Sequence, residues 1–173
     1  NWVSSVVPYL DLEKKCALLR YSNANAEKGS YELTEGNVEF TYVPQTPIAD
    51  ITTETAWLYN AVAKFFILAK YSVFDFRDEI PNEVVGNKRV LNYIKNAFSI
   101  LDECIKQQDA LGFEKQIALM ANYLGYETKA DHCKRLYRTI CDKRYHSAFK
   151  IDDLKRIAIT FHSSKGLEFE QVI

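Results

Sequence analysis

The sequence predicts an α/β fold in which a parallel sheet with flanking helices is interrupted by a small all-helical subdomain. Three observations predict it. Short apolar runs, Cys16-Ala17-Leu18-Leu19 and Ile157-Ala158-Ile159, stand near the two ends of the chain between charged or turn-forming residues. Strands buried on both faces of a parallel sheet read this way. Between about Phe74 and residue 150 the strand signal vanishes and apolar residues recur at helical spacing. Hydroxyl, imidazole, ammonium and carboxylate side chains then gather directly after the second apolar run.

A chain of 173 residues is long enough for one domain with a hydrophobic core, or for a domain carrying a smaller subdomain. Hydrophobic residues make up 47% and charged residues 26%, which is the composition of an ordinary globular protein. The most apolar stretch, Ala56 to Tyr71, is broken by Asn60 and Lys64 and is too short for a bilayer span, so no membrane partner is expected. The net charge of −1 supplies no general attraction for nucleic acid, so any such partner must meet a local surface. Cys16, Cys104, Cys133 and Cys141 contain no CxxC pair, and the spacing of His132, Cys133 and Cys141 matches no common zinc pattern. No metal site is expected, and the cysteines suit small buried positions in a reducing cytoplasm.

The elements follow in order. Trp2, Val3, Val6 and Val7 suggest a short helix ending near Pro8. Lys15 to Tyr21 reads as a buried strand, and Ser22 and Asn23 offer oxygens to cap a helix beginning at Ala24. Gly36-Asn37 marks a turn before a second strand, Val38 to Val43. Thr52 and Thr53 are candidate caps for a helix running to about Tyr71, apolar almost all round. Three helical patterns come next. Val90, Leu91, Ile94, Phe98, Leu101 and Ile105 define one within Arg89 to Gln107, and Glu114 to Leu124 stops at Gly125. Thr128 and Asp131 resemble a capping box for the last, with Leu136, Tyr137 and Ile140 on one face. Arg156 to Thr160 restores the strand pattern, and Gln171-Val172-Ile173 reads as the start of a further strand, as expected of a piece of a longer protein.

The loop between those two strands is the stretch with chemistry: Ile159-Thr160-Phe161-His162-Ser163-Ser164-Lys165-Gly166-Leu167-Glu168-Phe169. Parallel α/β sheets place ligand sites at the carboxyl ends of their strands. The side chains here suit phosphate and sugar oxygens, and a glycine lets the backbone approach a ligand. It is not a P-loop, since no Gly-x4-Gly precedes Lys165. Pattern alone leaves an ordinary polar loop and a binding site both open.

This stretch resembles motif V of the UvrD/Rep family of superfamily 1 DNA helicases, close to T-x-H-x-x-KGLEF, with His162, Lys165, Gly166, Leu167, Glu168 and Phe169 in register. Cys16 to Ala24 is similar to the segment that opens the second RecA-like motor domain, commonly A-I-L-Y-R-S-N-A. Ser22, Asn23 and Ala24 keep their places, Arg20 and Tyr21 stand in reversed order, and Pro44-Gln45 occupies a position where many members have a glycine pair. The resemblance implies that residues 1–71 begin the second RecA-like domain, 72–150 form a compact helical insertion, and 151–173 return to the motor domain with motif V. It implies an ATP-dependent helicase that translocates on single-stranded DNA, usually 3′ to 5′, and unwinds duplex in repair, recombination or defence.

The same resemblance implies that Gly166 and Glu168 serve ATP, with Glu168 approaching the ribose, and that Asn23, Thr160 and His162 face single-stranded DNA. ATP and Mg²⁺ would act in the full-length protein, against a first RecA-like domain outside this chain. These residues hold no Walker A sequence, so no catalytic residue is assigned and the chain alone is expected to be inactive. Each assignment has a plainer counterpart: Asn23 as a helix cap, His162 as a surface histidine, Lys165 as a loop anchor. Lys129, Lys134, Arg135, Arg138, Lys143 and Arg144 form either a duplex-binding face or a solvated one. Two other classes stay open, a helicase-nuclease subunit (or a helicase-like subunit serving a defence nuclease) and a non-enzymatic helical interaction module with a chance motif match.

Overall fold

The computed structural model describes residues 2–81 and 88–173, and divides into two units. One comprises Asn1–Thr46 and Arg144–Ile173, the other Pro47–Lys143. The fold is mixed α/β, as expected of part of a RecA-like domain with additional helices.

The first unit is built on four parallel strands, β1 (Cys16–Arg20), β2 (Thr41–Tyr42), β3 (Arg156–Thr160) and β4 (Gln171–Val172), in the order β2-β3-β1-β4. The central pair runs in register from Cys16 opposite Arg156 to Arg20 opposite Thr160. Strand alternation divides its side chains between two faces. Cys16, Leu18 and Ala158 join Val3, Leu33, Val38 and Phe40 in one core, under α1 (Trp2–Val6) and α2 (Asn23–Glu35). Ala17, Ile157 and Ile159 join Val43 on the other face, where Leu19, Ala148, Ile151, Leu154, Leu167 and Phe169 pack against them. Helix α2 lies close on β1, because a Cβ at Gly29 would meet Leu18 Cδ2 at 2.6 Å.

The strand expected over Val38 to Val43 shortens to Thr41–Tyr42. Val38 and Phe40 are buried as anticipated, but the guanidinium of Arg156 donates to the Glu39 carbonyl at 3.0 Å. A side chain thus takes a group that a longer ladder would use.

The second unit is helical: α3 (Ala56–Ile67), α4 (Val73–Glu79), α5 (Lys88–Lys106), α6 (Ala110–Tyr123) and α7 (Ala130–Cys141). Its core is rich in rings. Phe98 stacks on Phe65 with centroids 3.9 Å apart and meets Phe76 edge-on at 5.0 Å, joining α3, α4 and α5. Tyr93 and Tyr123 stack at 3.7 Å between α5 and α6, and Phe113 meets Tyr137 of α7 at 5.1 Å.

Two cap assignments and one helix end change. Thr53 and Thr55 hydrogen-bond each other at 3.0 Å, and α3 starts at Ala56 without a side-chain cap. It ends at Ile67 rather than near Tyr71, where the backbone turns extended at Leu68. Lys129, not Thr128, precedes α7, and it makes no side-chain cap bond. Sequence reading passed over α4. Its signal was Ser72-x-x-Asp75, which forms a complete capping box, Ser72 accepting from the Asp75 amide and Asp75 from the Ser72 amide at 2.7 Å. The Ser72 hydroxyl, which donates to the Asp75 carboxylate at 2.6 Å, and the Ser72 amide together favour the ionised form and lower the Asp75 pKa.

Candidate nucleic-acid and nucleotide site

Because β1 and β3 are parallel neighbours ending opposite each other, the chain leaves both strands at one edge of the sheet. The Phe161 amide continues the ladder beyond that rung, donating to the Arg20 carbonyl at 3.0 Å. Two segments therefore start side by side, one carrying Asn23 and the other His162.

On the β1 side, extended Ser22 accepts from the Asn25 amide at 3.2 Å and caps α2. Asn23 is the first helical residue and is exposed, so of the two candidate caps it is Ser22 that takes the role. The Asn23 amide stands at the positive end of a 13-residue helix, where backbone N–H groups favour anions. Arg20 is engaged elsewhere: it donates to the Leu19 carbonyl at 3.0 Å and lies 5.0 Å over the Trp2 ring.

On the β3 side, residues 161–166 form a turn wired by its hydroxyls. The Ser164 amide donates to the Thr160 carbonyl at 3.0 Å, and the Ser163 amide donates to the Thr160 hydroxyl at 3.2 Å. The hydroxyls of Thr160 and Ser163 lie 3.0 Å apart, and that of Ser164 donates to the Phe161 carbonyl at 2.9 Å. Thr160 is buried, so its hydroxyl shapes the turn from inside while His162 and Lys165 stand exposed on it. Gly166 has φ +82°, and a Cβ there would meet nothing within 4 Å. The backbone conformation, rather than crowding, calls for glycine. Leu167 and Phe169 pack onto the sheet and leave the carboxylate of Glu168 exposed between them.

The structure thus brings Asn23, Thr160 and His162 to one sheet edge and carries Gly166 and Glu168 on the same loop. It adds two residues that sequence reading missed. Tyr21 and Phe161, each directly after its strand, form a ring pair with centroids 5.0 Å apart. Their pairing depends on the strand register, which no sequence pattern reveals.

The basic helix is partly committed. Arg135 of α7 pairs with Asp50 and Asp131 and donates to the Pro47 carbonyl, while Lys134 is exposed. Among the described residues, no group of three or more His, Cys, Asp or Glu is placed to hold a metal ion. Cys16, Cys104 and Cys133 are buried thiols, and Cys141 is exposed. No described helix is long and apolar enough to cross a membrane.

No family model matches the chain. It is similar to the Gabija protein GajB of Bacillus cereus (strain VD045), 28% identical over 166 residues. The matched region is 95% of this chain and 32% of that protein, so the chain spans about a third of the relative's length.

Proposed function

We propose that the sheet unit is part of the second motor domain of a UvrD/Rep-type, ATP-dependent DNA helicase, and that its insertion, residues 72–150, is carried mainly by the helical unit, which ends at Lys143. The observation that supports this best is the shared edge of β1 and β3, from which a capped helix N-terminus and a hydroxyl-wired turn leave together. Such an edge holds a single strand by its phosphates, which fixes position without reading sequence. Asn23 and His162 are the contacting side chains. Thr160 acts through the turn that presents His162.

Glu168 accepts from the ribose hydroxyls of ATP, and Gly166 permits the bend that displays it. Hydrolysis requires the phosphate cradle, Mg²⁺ and a charge-neutralising arginine together, and this chain supplies none of them by motif. The partner surface is the first RecA-like domain of the intact protein. ATP closing that gap, and product release opening it, would move the strand in steps, 3′ to 5′, with duplex unwound ahead. The similarity to the Gabija protein supports a helicase-related motor over an interaction module with a chance motif match.

Glu168→Ala in the intact protein tests the nucleotide half. The KM for ATP rises several-fold while single-strand affinity without nucleotide stays the same. An unchanged KM removes Glu168 from the nucleotide site.

A further inference from the structure

Tyr21 is 92% exposed and Phe161 45% exposed, although both extend strands whose other side chains are buried or half-buried. Continuing the strand alternation, they fall on the face that carries Ala17, Leu19, Ile157 and Ile159, one step beyond the covered core. Their rings meet at 5.0 Å with a 41° tilt, so each limits the other's rotamers and the pair presents itself to solvent already ordered. Leaving that much aromatic surface in water forgoes burial energy, and a stable strand end does not require it.

What surrounds the pair narrows the occupant. Ser22 and Asn23, at the positive end of α2, follow Tyr21 directly, and His162 follows Phe161, with Lys165 exposed on the same turn. Aromatic faces flanked by anion-favouring groups match a ligand that is flat and π-rich on one side and anionic on the other. An unpaired nucleotide within a strand has this character, whereas an apolar peptide would leave the flanking polar groups without partners.

We propose that Tyr21 and Phe161 form a stacking platform for an unpaired base of the bound single strand, beside the phosphate contacts of Asn23 and His162. This rests on the function proposed above and adds a second kind of contact to it. Stacking tolerates every base, so the platform grips without reading sequence. It also gives the reversed order of Arg20 and Tyr21 a consequence: the ring reaches the sheet edge while the guanidinium stays with Trp2.

The test uses the intact protein and two single-stranded oligonucleotides of equal length and charge, one with bases and one made of abasic sugar-phosphate units. The parent protein binds the base-containing strand roughly tenfold more tightly at constant salt, the scale of one or two stacked bases. Tyr21→Leu and Phe161→Leu, separately and together, reduce that ratio, whereas Tyr21→Phe preserves it. His162→Ala weakens both strands equally and leaves the ratio alone. If the parent binds neither strand, the function proposed above fails. If it binds, but the leucine variants keep the full ratio, the platform is refuted and the phosphate reading stands. Should Phe161→Leu fail to fold, Tyr21→Leu decides alone, because a side chain this exposed contributes little to the core. A loss of ATP affinity in Tyr21→Leu, with the strand ratio intact, assigns the rings to adenine and overturns the proposal.

Discussion

The sheet unit and the helical unit use their aromatic residues in opposite ways. In the helical unit, Phe65, Phe76, Phe98 and Phe113 interlock α3 to α7, and the rings are spent on cohesion. In the sheet unit the core residues that β1 and β3 supply are aliphatic apart from Cys16, while Phe40 and Phe169 pack against them, and the exposed ring pair Tyr21–Phe161 sits at the strand ends. The polar residues divide similarly. Arg135 and the Lys64–Glu79 pair tie helices and loops of the helical unit together, whereas Asn23, His162 and Glu168 stand exposed at the sheet edge. A side chain occupied by its own fold is poorly available to a ligand. The comparison therefore supports the proposal that binding belongs to the sheet edge, while the helices are held by their rings and ion pairs.

Substitutions can break or sharpen that contrast. The largest effect should come from Phe98→Ala, which removes the ring that three helices share and leaves a cavity. The expected cost is about 3–5 kcal/mol in urea unfolding of the helical unit. A loss below about 1 kcal/mol would mean that the ring core is not what holds these helices. Gly166→Ala should cost about 1–2 kcal/mol, because alanine disfavours a φ of +82° even where space is open. The same variant should lower ATP and strand affinity together, since the turn carries both Glu168 and His162; an effect on neither would detach the bend from binding. Ser72→Ala, which breaks the capping box of α4, should cost about 1 kcal/mol and leave both affinities unchanged. Its stabilising share from Asp75 should fade on acidification. A carboxylate whose folded pKa is lowered stabilises above its unfolded pKa and loses that contribution as pH falls through the folded value.

Much of this was legible in the sequence because it depended on local pattern. Cys16 to Leu19 and Ile157 to Ile159 announced buried strands, and Gly125 marked the end of α6 with φ +86°. The stretch from Lys165 to Phe169 marks, by its pattern, the loop that carries the candidate site. What stayed hidden depended on partners distant in sequence. Glu39 gives its carbonyl to Arg156, 117 residues away, and the ladder of β2 shortens as a result. The pairing of Tyr21 with Phe161 requires the register of β1 on β3. Sequence pattern also leaves open which of Ser22 and Asn23 caps α2, a choice that decides whether Asn23 is available to a strand.

The account rests on one claim, that the edge shared by β1 and β3 holds single-stranded DNA through phosphates. The direct measurement is single-strand affinity and DNA-stimulated ATPase of His162→Ala in the intact protein, taken on several unrelated sequences. Affinity should fall about fivefold on every sequence, corresponding to one net hydrogen bond of about 1 kcal/mol. Stimulation should fall with it, while ATP binding without DNA holds. Unchanged affinity and stimulation, or a loss confined to particular sequences, would contradict the claim.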